Sequence, residues 1–479
     1  MPDWLSLPVE IWLHTLDLQP LRHLTALCLT CSQLLTITRP ILYRHLYLTS
    51  ETKNRTPNAA VDETFGLLAR HPNLAQSVRE LTLDSRSDSE SYVRNPGLLD
   101  ADSLRNMTQL KRVTIIGDVS RRAGRQEMAN FIQILHDLRL DELQIPAPGA
   151  RAFLLALSSS QLVQLANPKR IAFYVGPDRS ELLLSRFSIL LTAAGPSITS
   201  LSLTAAQTHL NALFILRFPA LHSLEITNPF DLREITCPRG FNSFLSAHHE
   251  PLKHLHLGYV DRRDTGSAVL SSAAIVFDEF SGLHPTFLPN LQTFHGHYRN
   301  VEMMARARVQ SLAGLRELSI GAALSPPSET IPGVQRMLNA MDAAGRLDAL
   351  TVLDFDLFQW DDVELETAST FVRRWAALCG PTLEVWRGLL PFTGSWPLND
   401  FAAFPRLRVI HFPKDYRLLN IAARLDLAVD VSQYIGDITS ICNALEEVKV
   451  IGDFVDGSFD KSWMIDRRSP SGTALRQVE

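Results

Sequence analysis

A chain of 479 residues is too long for one compact core and suits an elongated repeat domain. With 46% hydrophobic residues, 20% charged residues and a formal net charge of −5, its bulk gives no argument for general nucleic-acid or lipid binding. No run of about 18 apolar residues occurs, and the N-terminus carries Asp3, Glu10 and His14 without a basic start, so neither a membrane span nor a secretory signal is expected.

The chain opens on a helical stretch, residues 7–48. Pro8 suits a first helical turn, where its missing N–H costs nothing. Glu10 sits in the same turn, where the helix dipole favours a negative charge. Ile11, Trp12 and Leu16 follow. A second short helix is expected from Pro20 through Leu21, Leu24 and Leu27, and a third near Ser32 with Leu34, Leu35 and Ile37. A unit of about 40 residues is below the size that normally folds alone, so its apolar side needs a neighbour. Cys28 and Cys31 form a CxxC with no second pair at zinc-site spacing, and read as buried helix thiols. Five scattered cysteines make no disulfide framework, which points to a reducing compartment, cytoplasmic and/or nuclear.

This stretch resembles an F-box. The family opens on Leu-Pro-x-Glu-aliphatic, matched here by Leu7, Pro8, Glu10 and Ile11. Cys31 and Leu34 fall in the family's Val-Cys-x-x-Trp region, while Thr15, Thr30 and Ser32 depart from its usual Ile, Val and basic residue. The resemblance implies that Leu7, Pro8, Glu10, Ile11, Leu16, Leu21, Leu24, Leu27, Cys31 and Leu34 dock a Skp-type adaptor, which joins a cullin–RING ubiquitin ligase. From the residues alone, a helical cap buried inside a larger domain stays open.

After a polar link, a spaced apolar triplet recurs. It appears at Val78, Leu81 and Leu83, at Leu110, Val113 and Ile115, and at Leu140, Leu143 and Ile145. It continues at Pro168, Ile171 and Phe173, at Ile198, Leu201 and Leu203, at Leu221, Leu224 and Ile226, and at Leu252, Leu255 and Leu257. Later copies lie at Leu315, Leu318 and Ile320, at Leu350, Leu353 and Phe355, at Leu407, Ile410 and Phe412, and at Leu445, Val448 and Val450. Degenerate copies lie at Leu291 with Phe294 and near Leu383. Twelve intervals of about 31 residues separate Val78 from Leu445, and a period of 20–50 residues indicates a solenoid. The fold class predicted is α/β: a three-helix F-box followed by an irregular leucine-rich-repeat-like solenoid, parallel sheet on the concave face and helices outside.

Helices are expected over Gln126–Leu138, Ala152–Leu165, Leu182–Leu191 and Phe371–Leu378, with capping-box-like starts at Asp178 with Glu181 before the third and at Asp361 with Glu364 before the fourth. The Asn of regular leucine-rich repeats is missing, with Ala206, Pro229 and Val260 in its place, so the arc should be irregular. Loops are expected at Ser85–Gly97, Gly117–Arg125, Asp261–Ser267 and Ser325–Pro332. The domain plan is an adaptor-binding segment 1–48, a linker or N-terminal cap 49–76, a target-recognising solenoid 77–455 and a disordered tail 456–479.

Strand side chains alternate, so residues between the apolar positions point out and stack about 4.8 Å apart from repeat to repeat. This register sends His254, His256, His295 and His297 to one patch, beside Lys253 and Tyr298. They are candidate target-binding residues or a pH-sensitive patch; no carboxylate or cysteine at fixed spacing marks a metal site, and no metal or cofactor is expected. Asp354 and Asp356, with Trp360 beyond, form an acidic candidate, and Lys111, Arg112, Lys169 and Arg170 a basic one. No GxGxxG, P-loop, GxSxG or HExxH occurs, so no catalytic residue is assigned. The expected function is substrate recognition for a cullin–RING ligase: adaptor at the front, an unknown protein target on the solenoid, no nucleic acid and no membrane. The alternatives are an interaction scaffold working without a ligase, and an enzyme or small-molecule receptor with a concave pocket.

Overall fold

The computed structural model describes residues 16, 21–30, 32–49, 59–84, 101–117, 125–145, 149–176, 180–205, 207–227, 240–258, 275–277, 283–321, 327–356, 365–388, 398–413, 431–451, 453–454, 457–458, 461–466 and 474–478. They fall into two compact units, residues 1–221 and 222–479.

The first unit opens on two helices, Leu21–Cys28 and Ser32–Leu42, packed on each other. Strands follow: β1 (His45–Thr49), β2 (Glu80–Asp84), β3 (Arg112–Ile116), β4 (Glu142–Ile145), β5 (Arg170–Gly176) and β6 (Ser200–Ala205). Each pairs in parallel with the next in chain order. The register aligns Leu46, Leu81, Val113, Leu143, Ile171 and Leu201 in one row. From Leu81 to Leu201 these side chains are almost wholly buried, as are Leu83, Ile115, Ile145, Phe173 and Leu203. Each such burial contributes about 1.5–3 kcal/mol, which is why the period-two pattern holds the sheet face inward. Residues 45–48, the end of the stretch read as helical, thus belong to the sheet, in β1.

A backbone device repeats with the period. One carbonyl accepts two consecutive N–H groups from the next repeat: Arg79 O from Lys111 and Arg112, Lys111 O from Asp141 and Glu142, Asp141 O from Lys169 and Arg170. A carbonyl has two lone pairs, so both are used and no strand-entry amide is left unsatisfied.

Parallel strands need crossovers, and helices supply them. The helix Arg125–Leu138 forms where expected. The single helix expected over Ala152–Leu165 is two, Gly149–Ala156 and Ser159–Gln164. Ser158 breaks the run: its hydroxyl accepts from Gln161 N, and the Gln161 side chain accepts from Ser158 N, a reciprocal cap. The helix Glu181–Ala194 is capped by Ser180, not Asp178, because Ser180 Oγ faces Leu183 N. Within the segment read as linker or cap, the helix Ala59–Arg70 buries Phe65 and Leu68.

The second unit repeats the scheme with β7 (Ser223–Thr227), β8 (His254–Gly258), β9 (Thr293–His297), β10 (Glu317–Gly321), β11 (Val352–Asp356), β12 (Val385–Arg387), β13 (Val409–Pro413) and β14 (Glu447–Ile451), all parallel. Leu224, Leu255, Phe294, Leu318, Leu353, Trp386, Ile410 and Val448 form the buried row. The two degenerate repeats share one solution. In β9, Gly296 stands where the third apolar side chain belongs, and a Cβ there would lie 2.7 Å from the Phe294 ring. In β12, Trp386 fills the slot and donates its indole N–H to Gly388 O at 3.1 Å. Gly388 has φ of 88°, a conformation suited to glycine. A large ring plus a glycine replaces two aliphatic side chains.

The loop expected at Ser325–Pro332 is corrected in part: the helix Pro327–Ala344 begins inside it. Proline is tolerated in a first helical turn, so Pro327 is a start signal there. The expectation of a disordered tail is also corrected. β15 (Asp453–Phe454) and β16 (Gly457–Ser458) form a small hairpin. β17 (Lys461–Asp466) pairs antiparallel with β14, and β18 (Ala474–Val478) antiparallel with β17. The short runs Trp463–Ile465 and Ala474–Val478 carry enough strand-forming residues to close the sheet edge. Among the described residues, no helix is long and apolar enough to cross a membrane.

Candidate functional site

In the first unit the outward row beside the buried one reads His45, Glu80, Arg112, Glu142, Arg170 and Ser200. Its charges alternate and meet. His45 Nδ1 is 3.0 Å from Glu80, Arg112 is 3.1 Å from Glu80 and 2.9 Å from Glu142, and Arg170 is 4.0 Å from Glu142. Burial opposes the charge on Arg112, but the carboxylates of Glu142 and Glu80 outweigh it and hold the proton more firmly than usual. Lys111 lies 3.8 Å from Asp141. The expected basic patch is therefore corrected: Lys111, Arg112 and Arg170 are engaged by carboxylates of neighbouring strands, and only the sheet register brings those pairs together.

In the second unit the open face carries His254 and His256 on β8 and His295 on β9. The register sets Glu225, His256, His295, Ser319, Asp354 and Arg387 side by side. The rings of His256 and His295 lie 4.9 Å apart. Each leans on a carboxylate: His256 Nδ1 is 3.3 Å from Glu225, and His295 Nε2 is 3.5 Å from Glu317. His254 Nδ1 sits 2.9 Å from Thr293 Oγ1. Arg387 reaches Glu317 at 3.4 Å. Hydrogen bonding from His295 holds the Glu317 carboxyl below its usual range, against its partial burial, with help from the charges of His295, Arg387 and His254. Burial, and the charge of Lys253, push His254 below the usual imidazole value.

His297 does not join this patch, which corrects the four-histidine expectation. It ends β9 and caps the helix Tyr298–Arg306, accepting from Arg299 N through Nδ1 at 3.3 Å. Its ring lies 4.2 Å from that of Tyr298 and is 3% exposed. Strand alternation stops where the chain turns into the helix, so the outward register does not extend to it. Burial pushes its pKa down to about 3. Asp354 lies on the open face. Asp356 ends β11, and its side chain lies outside the described residues, as does Trp360. Among the described residues no group of three or more His, Cys, Asp or Glu is arranged to hold a metal ion. The carboxylates beside the histidines were missed in the sequence because Glu225 and Glu317 come from other repeats.

Of the leading-segment residues, Leu16, Leu24 and Leu34 are buried within the chain. Leu24 and Leu34 lie on the two described leading helices, which pack on each other. Leu27 is partly exposed, Leu29 is 84% exposed and Leu35 38%. Leu7, Pro8, Glu10, Ile11 and Cys31 lie outside the described residues, and so does the side chain of Leu21.

No protein-family model and no curated protein sequence matches the chain. Among solved structures it is similar to a chain in the crystal structure of a Rad7 and Elc1 complex in yeast, at 12% identity over 83% of this chain and 84% of that one, with a TM-score of 0.42. It is also similar to the leucine-rich repeat-containing protein LegL7 from Legionella pneumophila, at 10% identity over 78% and 91%, with a TM-score of 0.35. The leucine-rich-repeat-like α/β fold follows from the chain's own strand register and its strand–helix alternation.

Proposed function

We propose that this chain recruits protein targets to a cullin–RING ubiquitin ligase, its leading helices docking a Skp-type adaptor and its sheet faces holding the target. One observation carries the adaptor half. Leu16, Leu24 and Leu34 of the leading segment are already buried, yet Leu29 and Leu35 are still presented to solvent, in the same stretch of sequence that carries the Leu7, Pro8, Glu10 motif. Apolar side chains left over after a small core is complete are the chemistry of a docking surface. The chain itself makes and breaks no bonds in this reading. It raises the effective concentration of a tethered target lysine near the ubiquitin-charged enzyme, in the cytoplasm or the nucleus.

The test uses the full chain co-expressed with a Skp-type adaptor. Leu29→Asp with Leu35→Asp should abolish co-purification and leave the melting temperature unchanged, since both side chains are exposed. Substituting Leu24 instead would unfold the helices and decide nothing. Retention of the adaptor by the double variant, or no adaptor with the unaltered chain, ends the reading. A scaffold that works without a ligase is the second reading, favoured by the regular outward rows of both units; an adaptor complex that captures no cullin would select it.

A further inference from the structure

The histidine face of the second unit differs from the outward row of the first in how its charge is balanced. Around His256 and His295, β7 brings Glu225, with His222 just before it. β8 brings His254, with Lys253 before it. β10 brings Glu317, with Arg316 before it, β11 brings Asp354, and Arg387 reaches over from β12. Glu225, Glu317 and Asp354 cancel Lys253, Arg316 and Arg387 in formal charge. Four imidazoles remain: His222, His254, His256 and His295. With these neutral the named side chains, all among the described residues, sum to no net formal charge; each proton they take makes the sum positive. Histidine is the side chain whose unperturbed charge change falls at roughly pH 5–8.

Geometry makes the titration matter. His256 and His295 are 4.9 Å apart, so protonating both without an incoming anion costs repulsion. Glu225 and Glu317 already support one side of each ring. A carboxylate arriving from solvent would offset that repulsion and favour the doubly protonated pair. His254 is exposed beside them, and Lys253 and Arg316 edge the same face.

We propose that this face is the target-docking surface of the second unit, that it takes an acidic segment of a protein partner, and that it holds that segment more tightly as the imidazoles of His256 and His295 gain protons. The proposal rests on the reading of the chain as a target-binding protein and names the chemistry of the target.

The probe is a fluorescein-labelled peptide alternating Glu and Ser, titrated with the full chain at about pH 6 and about pH 8, with a Lys and Ser peptide as control. Saturable binding should be tighter at the lower pH by roughly tenfold, the ratio for a net uptake averaging about half a proton across the two pH units. His256→Ala with His295→Ala should remove most of that difference. His256→Lys with His295→Lys should restore tight binding at the higher pH, because the charge is then permanent; unchanged melting temperatures would show both variants folded. Equal affinity at the two pH values, full pH dependence in the alanine variant, no saturable binding by the unaltered chain, or preference for the Lys and Ser peptide would overturn the proposal. Tighter binding of a single-stranded oligonucleotide or of phosphatidylserine vesicles than of the acidic peptide would overturn the choice of partner. Adaptor co-purification, measured on the same preparations, separates these failures from failure of the ligase reading.

Discussion

Arg112 on β3 donates through Nε to Glu142 on β4 at 2.9 Å, while its Nη1 reaches Glu80 on β2 at 3.1 Å. One guanidinium therefore ties three strands across their outward row. The pairing follows from the parallel register, which places Glu80, Arg112 and Glu142 opposite one another. The fork geometry of guanidinium suits two acceptors at once, as a lysine would not. The same row therefore offers little free charge to a partner.

Replacing that cation with a like charge tests the tie. Arg112→Glu sets three carboxylates side by side, where like charges directly opposite are destabilising. The Arg112 side chain is 37% exposed, so solvent screening keeps the loss near about 1 kcal/mol. Amide hydrogen exchange in β2–β4 should quicken accordingly, and less so at high salt. Unchanged exchange would show the row to be decorative.

A second expectation concerns acid. His297 has its folded-state pKa pushed from 6.5 down to about 3 by burial, with a lesser contribution from the charge of Arg299. The unfolded chain therefore binds a proton that the folded one refuses. The stability it contributes is fully present above pH 6.5 and is lost as pH falls towards 3, at up to about 1.4 kcal/mol per pH unit. His297→Asn keeps a helix-capping acceptor and removes the titration. Urea unfolding of the second unit should then show a shallower decline across that window. Identical slopes in the two proteins would mean that the buried imidazole is not what senses acid.

The third concerns packing between two helices. Gly333, in the helix Pro327–Ala344, lies so close to Tyr298 that a Cβ would collide with the ring edge and stand 2.6 Å from its hydroxyl. Alanine normally favours a helix over glycine by about 1 kcal/mol. Here the collision should reverse that sign, and Gly333→Ala should destabilise the second unit by about 1–3 kcal/mol. Tyr298→Leu in the same chain should return part of the loss. A stabilised Gly333→Ala protein would refute the close approach.

Much of the fold was legible in one dimension. The apolar triplet that includes Leu81 and Leu83 announces a strand because side chains alternate, and its return about every 31 residues announces a stack. Even the degenerate copies at Leu291 and Leu383 marked strands, and the reason they could be degenerate became visible only in space. Phe294 extends into room that Gly296 leaves open, and Trp386 closes back on the carbonyl of Gly388. Caps were less legible: Ser158 and Ser180 act through a hydroxyl whose alignment depends on local backbone torsions, which spacing alone does not fix.

For the candidate site, periodicity alone put His254, His256 and His295 on the outward face, because strand alternation needs nothing beyond sequence order. What it left open was company. Glu225 and Glu317 reach the imidazoles from repeats far along the chain, and Arg112 finds its carboxylates the same way. Those contacts depend on register between strands, which is a property of the assembled sheet. His297 left the patch because the strand ends where the next helix begins, and Leu24 and Leu34 turned inward on the two described leading helices, which pack on each other. Local order set which way each side chain faces along a strand; packing decided what it meets there.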